Sequence, residues 1–145
     1  MKILHISGAG MADDVFTIET AEGGELSWNV TRLKEAAKQG VFGRPIKFKT
    51  SMLGPSNYEN VSRDKIDAFK KNQKILDEPV IAIESKASTG GQLVIMCFPD
   101  GSHRLIARQE LGLPDWYTYL VPNYMEEDFR VEFNEVEIND PRSSP

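Results

Sequence analysis

Five consecutive residues, Asp100-Gly101-Ser102-His103-Arg104, combine the groups that proteins use to bind phosphate. They follow an apolar run that ends at Phe98, and they open a stretch whose apolar residues recur at helical spacing. At a strand-turn-helix junction the first N–H groups of the helix have no partner within it, and the helix dipole adds positive potential. His103 supplies a titratable donor and Arg104 a planar, permanently charged fork. The segment therefore predicts an anion site, and phosphate is the anion that fits it best.

Two further residues favour this interpretation, and one alternative stays open beside it. Gly101 lets a ligand approach the backbone closely, and Arg108 lies one helical turn after Arg104. The alternative is a capped core helix without a ligand. In that case Ser102 is the cap, His103 bonds a loop carbonyl and Arg104 pairs with an acid.

The elements that must position this motif can be predicted from pattern. Residues 15–20 and 25–30 alternate around a Gly-Gly turn and predict a β-hairpin, and a short helix over residues 31–39 follows. A helical pattern capped by Ser62 continues to Pro79. Apolar runs predict buried strands at residues 80–83, 93–98 and 116–121, with a helix from about Ser102 before the last one. The sum is a compact α+β domain.

Charge and cysteine content narrow the function classes. Lys and Arg total 17 against 22 Asp and Glu, which gives a formal charge of −5. Seven acids and two bases fall after residue 122, so the net charge of −5 lies in a C-terminal segment and the rest is neutral. Broad binding to nucleic acid is not favoured, although Lys65, Lys70, Lys71 and Lys74 form a local basic face.

The expected location is the cytoplasm. The apolar run at the start of the chain is too short for a signal peptide, and no apolar run approaches the length of a membrane span. One cysteine allows no intramolecular disulfide, and two histidines with one cysteine form no metal-ligand spacing. We expect no membrane partner and no metal site of the protein's own.

The stretch Asp100-Gly101-Ser102-His103-Arg104-Leu105-Ile106-Ala107 resembles the signature of the ParB/sulfiredoxin superfamily. That signature reads Asp-Gly-X-His-Arg in many ParB-like domains and Gly-Gly-Cys-His-Arg in sulfiredoxins. The similarity covers residues 44–135 and implies a small mixed sheet with flanking helices. It leaves residues 1–43 as an N-terminal hairpin-helix extension, in which residues 11–40 offer a surface for a protein partner. Residues 136–145 remain as an acidic, partly disordered tail.

The resemblance implies a nucleotide pocket in which the motif holds the phosphates of ATP, ADP or CTP. The nucleotide-binding residues would be Gly101, Ser102, His103, Arg104 and Arg108, together with Lys65, which falls where sulfiredoxins carry an ATP-contacting lysine. Ala68 and Asn72 stand where sulfiredoxins have hydroxyl residues, so that wall of the pocket is only partly matched.

The resemblance also makes phosphoryl transfer or nucleotide hydrolysis the expected reaction. This chemistry needs positioning and charge neutralisation, with Mg²⁺ bridging the phosphates. Asp100 or Glu59 would orient the nucleophile as general base, and Ser102 would be a hydroxyl that receives a phosphate. Sulfiredoxin activity is not expected, because Ser102 replaces the attacking cysteine and Cys97 lies inside an apolar strand. A non-catalytic nucleotide sensor or protein-binding module is the alternative, and a ParB-like nuclease is less favoured.

Overall fold

Most of the predicted elements are present in the computed structural model, which describes residues 2–50 and 61–137. The strands are β1 (Lys2–Ser7), β2 (Val15–Glu19), β3 (Glu25–Asn29), β4 (Ile46–Lys49), β5 (Val80–Glu84), β6 (Ile95–Asp100), β7 (Asp115–Val121) and β8 (Glu132–Glu137). The helices are α1 (Val30–Lys38), α2 (Arg63–Lys70), α3 (Gln73–Leu76) and α4 (Ser102–Glu110), with a 3-10 turn at Glu126–Phe129. The α+β class is confirmed.

A four-stranded mixed sheet forms the centre, in the order β4-β7-β5-β6. β5 runs parallel to β7 and antiparallel to β6, and four of its five residues are buried. Successive side chains of a strand point to opposite faces, so an all-apolar run is what a strand covered on both sides requires. Val80 and Ala82 pack with Leu105 of α4, while Ile81 and Ile83 pack on the opposite face.

The N-terminal segment covers that opposite face of the sheet. Alternation in β2 and β3 forms the predicted hairpin, and the side chain of Asn29 caps α1 by accepting from the Arg32 N–H. Leu33, Ala36 and Ala37 of α1 are buried in the same cluster as Ile83. Residues 16–42 therefore contribute to the core that they share with the central sheet.

The helical pattern between Ser62 and Pro79 is two helices, so the prediction of one continuous pattern is wrong. α2 ends at Lys70, and the side chain of Asn72 accepts a hydrogen bond from the Ile75 N–H to begin α3. Asparagine competes with the helix for backbone groups and favours the N-cap position, which explains the break. Ile66 and Leu76 nevertheless share one apolar cluster with Ala107 of α4.

The acidic C-terminal segment contributes buried residues before β8: Glu126, Phe129 and Val131. Residues 129–133 alternate as an edge strand would, but the strand that forms there, β8, begins at Glu132. The carboxylate of Glu126 is fully buried and accepts from the Trp28 indole N–H at 2.8 Å. It also accepts from Arg130 Nε at 2.9 Å and from Arg130 Nη2. These bonds fasten the 3-10 turn to β3. Residues 138–145, the remainder of the expected tail, lie outside the described residues.

Glu126→Gln should lower the free energy of unfolding by about 2 to 3 kcal/mol, because it leaves the partly buried Arg130 guanidinium without its anion. Urea denaturation followed by tryptophan fluorescence measures the change. The matched control is Glu127→Gln, since Glu127 pairs with Lys86 at the exposed surface and its loss should leave the midpoint unchanged. Equal effects of the two substitutions would contradict the role given to Glu126.

Candidate functional site

The site begins at Gly101, which joins β6 to α4. Gly101 has a φ of +108° and is the N-cap of α4. A Cβ at this position would lie 2.4 Å from Val80 Cγ2, so both the backbone conformation and the packing of β5 require glycine. The close approach that the sequence predicted for a ligand is thus made by the protein's own strand.

The N-terminus of α4 presents backbone donors. The first helical hydrogen bond runs from the Leu105 N–H to the Gly101 carbonyl at 2.8 Å. The N–H groups of residues 102, 103 and 104 therefore have no acceptor within the helix. Glycine provides no side chain to cap them. Ser102 is the first residue of the helix, and its Oγ donates to the Phe98 carbonyl at 3.3 Å. The interpretation of Ser102 as the helix cap is therefore wrong.

His103 connects the starts of two helices. Its Nε2 accepts a hydrogen bond from the backbone N–H of Ser62, the N-cap of α2, at 3.0 Å. The alternative interpretation expected a bond from His103 to a loop carbonyl, and none is found within residues 2–50 and 61–137. Partial burial lowers the pKa of His103 below 6.5, and the charge of Lys65 lowers the pKa further. Nε2 is thus the unprotonated nitrogen of a neutral ring.

Lys65 lies in the first turn of α2, beside His103. The side chain is exposed, and its ammonium lies 5.7 Å from the centre of the Phe69 ring. The structure therefore brings together three features of the predicted site: the N-terminus of α4, His103 and Lys65. The N-terminus of α2, held by Ser62, is added to them.

Arg104 points into the protein. Its side chain is 8% exposed, and its Nη2 donates to Asp100 Oδ2 at 2.9 Å. Nη1 donates to the carbonyls of Glu78 and Pro79 at 2.9 and 3.4 Å. Arg104 thus fastens the end of β6 to the residues that lead into β5. The alternative interpretation expected Arg104 to pair with an acid, and Asp100 is that acid.

Arg108 has a comparable role one helical turn later. Its guanidinium donates to the Leu76 carbonyl at 2.8 Å and to the Asp115 carbonyl. The guanidinium carbons of Arg104 and Arg108 lie 5.5 and 5.4 Å from the centre of the Trp116 ring. Both arginines, which the sequence assigned to phosphate, therefore bind backbone carbonyls, one aspartate each and the same indole.

Asp100 has a cation at each carboxylate oxygen. Oδ2 accepts from Arg104, and Oδ1 lies 3.6 Å from the ammonium of Lys34 in α1. The Lys34 side chain is 48% exposed, so the second pair is the looser of the two. Glu59, the other candidate general base, lies outside the described residues.

A cavity of about 300 Å³ opens beside Asp100. Its apolar floor consists of Ile81 and Pro79 with the ring of Tyr119, and Lys34 and Lys38 stand at its rim. This volume is at the small end of the range for ligand pockets.

The remaining chemical candidates have been placed as follows. Burial raises the pKa of the Cys97 thiol to about 12, which keeps it protonated and matches the expectation of an inert cysteine. In residues 2–50 and 61–137 no group of three or more His, Cys, Asp or Glu side chains is positioned to hold a metal ion. Nor is any helix in these ranges long and apolar enough to cross a membrane.

The basic face of α2 is partly neutralised. Lys70 lies 3.2 Å from Glu110 Oε1, and Arg63 pairs with both Glu110 and Asp67. These ion pairs reduce the positive potential that a nucleic acid would meet along this helix.

Comparisons with known proteins find no matching family model, no matching curated protein and no matching solved structure. The resemblance of residues 44–135 to the ParB/sulfiredoxin superfamily stays a prediction from the motif.

Sequence reasoning missed the partners that define the site. Ser62 was recognised as a helix cap, but the bond from its N–H to His103 joins residues 41 positions apart, and no local pattern signals it. Lys34 lies on a helix that the sequence placed outside the motif. Trp116 was recognised only as the start of a strand. These contacts depend on how the elements pack.

Lys65→Gln should raise the pKa of His103 while leaving it below 6.5, because partial burial is the larger cause of the shift and remains. NMR titration of the two histidine rings measures this, with His5→Gln to assign the resonances. Lys71→Gln, at the far end of α2, is the control and should not move the titration.

The same shift makes stability depend on pH. The folded pKa of His103 lies below its unfolded value, so the unfolded chain takes up the proton first as the pH falls. The stability contributed by neutral His103 is complete above about pH 6.5 and declines below it. Lys65→Gln should reduce this decline between about pH 6.5 and 5.5. An unchanged or steeper decline would show that the charge of Lys65 does not act on His103.

Proposed function

We propose that this protein binds a nucleotide through its phosphates at the junction of α2 and α4. The observation that carries the proposal is the hydrogen bond from the Ser62 N–H to His103 Nε2. Through the His103 side chain, this bond joins the N-terminus of α2 to that of α4. Each N-terminus carries the equivalent of roughly half a positive charge. An anion between them would interact favourably with both.

The charged groups around this junction favour an anion. Lys65 is exposed and free to turn toward a ligand, whereas Asp100 is offset by Arg104 and Lys34. Asp64 in the first turn of α2 is the opposing charge, and it lies at the exposed surface. In this proposal the N–H groups of Ser102, His103 and Arg104 contact the phosphates directly, and Lys65 neutralises part of their charge.

Arg104 and Arg108 act as positioning residues in this scheme. Their donors bind carbonyls at residues 76–79 and 115, so they set the place of the α4 N-terminus and do not need to touch phosphate. This differs from the role that the motif suggested for them.

A nucleotide fits the surroundings better than free phosphate does. The cavity lies on the α1 side of the central sheet and is lined by Asp100, the residue before the N-cap of α4. Its apolar floor with the Tyr119 ring suits a flat heteroaromatic base. Inorganic tripolyphosphate should therefore bind more weakly than ATP, since it leaves this cavity unused.

The contacts favour binding without turnover, as in a nucleotide sensor. Asp100 is the candidate general base that lies within the described residues, and both of its oxygens are paired. A general base needs an unpaired oxygen within reach of the nucleophile. Mg²⁺ would have to arrive with the phosphates, because the described residues supply no cluster of ligands for it.

Phosphoryl transfer or hydrolysis is the second candidate function. The looseness of the Lys34 pair, at 3.6 Å with an exposed ammonium, favours it by allowing Asp100 Oδ1 to be released. Incubation with ATP or CTP and Mg²⁺, alone and with amino-acid and sugar acceptors, followed by product analysis, separates the two functions. Formation of ADP or CDP by the wild type, and its loss in Asp100→Asn, would establish phosphoryl transfer or hydrolysis as the function.

ATP with Mg²⁺ should raise the melting temperature, with a stabilisation of about 2.7 kcal/mol at a hundredfold excess over the dissociation constant. Lys65→Gln should weaken binding about tenfold, or about 1.4 kcal/mol, because one phosphate-neutralising charge is lost. Isothermal titration measures both proteins, with Lys71→Gln as the matched control expected to bind like the wild type. Equal losses in the two lysine variants would indicate general charge attraction, and no binding of any nucleotide would refute the proposal.

A further inference from the structure

β1 and β8 form a two-stranded ribbon that is separate from the central sheet. Within the described residues the two strands pair only with each other, in antiparallel register from Lys2–Glu137 to Ser7–Glu132. Leu4, Ile6 and Phe133 are 59%, 47% and 49% exposed, and Ile6 lies directly opposite Phe133. An isolated two-stranded ribbon is marginally stable in water, and clustered exposed apolar side chains mark interaction surfaces.

The two edges of this ribbon differ in charge. β8 carries three glutamates among its six residues, at positions 132, 135 and 137. β1 contains no Asp, Glu or Arg, and its single lysine is its first residue. Charged residues, proline and bulges are the features that prevent strand edges from pairing with other chains. Residues 3–7 contain none of them, so within the part of the chain that the structure describes the edge of β1 is the one open to another strand.

We propose that the edge of β1 pairs with the same edge of a second copy of this chain. A twofold axis perpendicular to the ribbon places two β1 strands antiparallel and keeps the corresponding side chains on one face. With the axis at His5, Leu4 lies opposite the partner's Ile6. Leu4, Ile6 and Phe133 of both copies then form one apolar block, and the unpaired backbone groups of β1 gain partners.

Repulsion between like charges limits the assembly to two copies. The product is a four-stranded sheet in the order β8-β1-β1-β8, and both of its outer edges are the glutamate-bearing strand. A third chain would have to pair its strand with one of these acidic edges, and pairing through β8 would oppose like charges. The assembly is therefore a closed dimer.

Substitutions at one level of the ribbon test this interface. His5 and Asn134 are register partners on neighbouring strands, so lysine can be introduced at the same level on either strand. His5→Lys places two ammonium groups at the twofold axis and should give a monomer. Asn134→Lys lies one strand away from the interface and should leave the dimer intact.

Sedimentation equilibrium from about 1 to about 100 µM measures the mass, a range that covers typical weak to moderate dimers. The wild type should rise from 16.3 kDa toward twice that value, and His5→Lys should stay at 16.3 kDa. A monomer throughout, or a dimer that survives His5→Lys, would overturn the proposal. Loss of the dimer in Phe133→Lys but not in His5→Lys would instead place the contact on the apolar face of the ribbon.

Hydrogen exchange gives a measurement that needs no variant. The amides of residues 2–7 should exchange more slowly at high than at low protein concentration, because half of them gain hydrogen bonds only in the dimer. The amides of the hairpin β2-β3 should exchange at the same rate at both concentrations. Concentration-independent exchange in residues 2–7 would contradict pairing at this edge.

Discussion

The guanidinium of Arg104 determines how the strand-turn-helix junction is held. It carries a full positive charge with 8% of its side chain exposed, a position that is costly unless every donor finds a partner. Asp100 and the carbonyls of Glu78 and Pro79 accept hydrogen bonds from its two terminal nitrogens. Because these groups belong to the end of β6 and to the segment before β5, one side chain sets the geometry of both.

The contacts of Arg104 also position the N-terminus of α4. The guanidinium groups of Arg104 and Arg108 both contact the Trp116 ring, and the indole N–H donates to the same Glu78 carbonyl that Arg104 binds. The N-terminus of α4 is therefore fixed from within the core, and His103 can reach Ser62 without distortion of the helix. In the proposed function, anion binding would depend on where the backbone of the motif is held, and Arg104 is the residue that holds it.

The elements were largely predictable from the sequence, because their signals are local. Alternation gave the hairpin of β2 and β3, the all-apolar run gave β5, and Gly101 marked the turn before α4. β1 escaped prediction since its partner β8 lies at the other end of the chain. The break at Asn72 was missed because the apolar spacing of Ile66, Phe69 and Leu76 continues across it.

The position of the candidate site could be predicted from the sequence, but the partners of its side chains could not. His103 and Lys65 do lie together, as the motif and the preceding helix indicated. The direction of Arg104 depends on carbonyls at residues 78 and 79, which no pattern around the motif identifies. The same residue types suit a phosphate and a set of backbone carbonyls, so composition alone cannot separate the two outcomes.

The net charge of −5 says little about a ligand, because the acids that produce it are used locally. Glu126 is buried against Trp28 and Arg130, Glu127 pairs with Lys86, and the glutamates of β8 lie along one strand edge. Screening limits exposed charges to about 8 Å at physiological salt, so the potential at the start of α4 depends on its immediate neighbours. Those neighbours are Lys65, two helix N-termini, exposed Asp64 and an Asp100 already neutralised by Lys34 and Arg104. An acidic protein can therefore keep a positive site wherever its own acids are paired with its own bases.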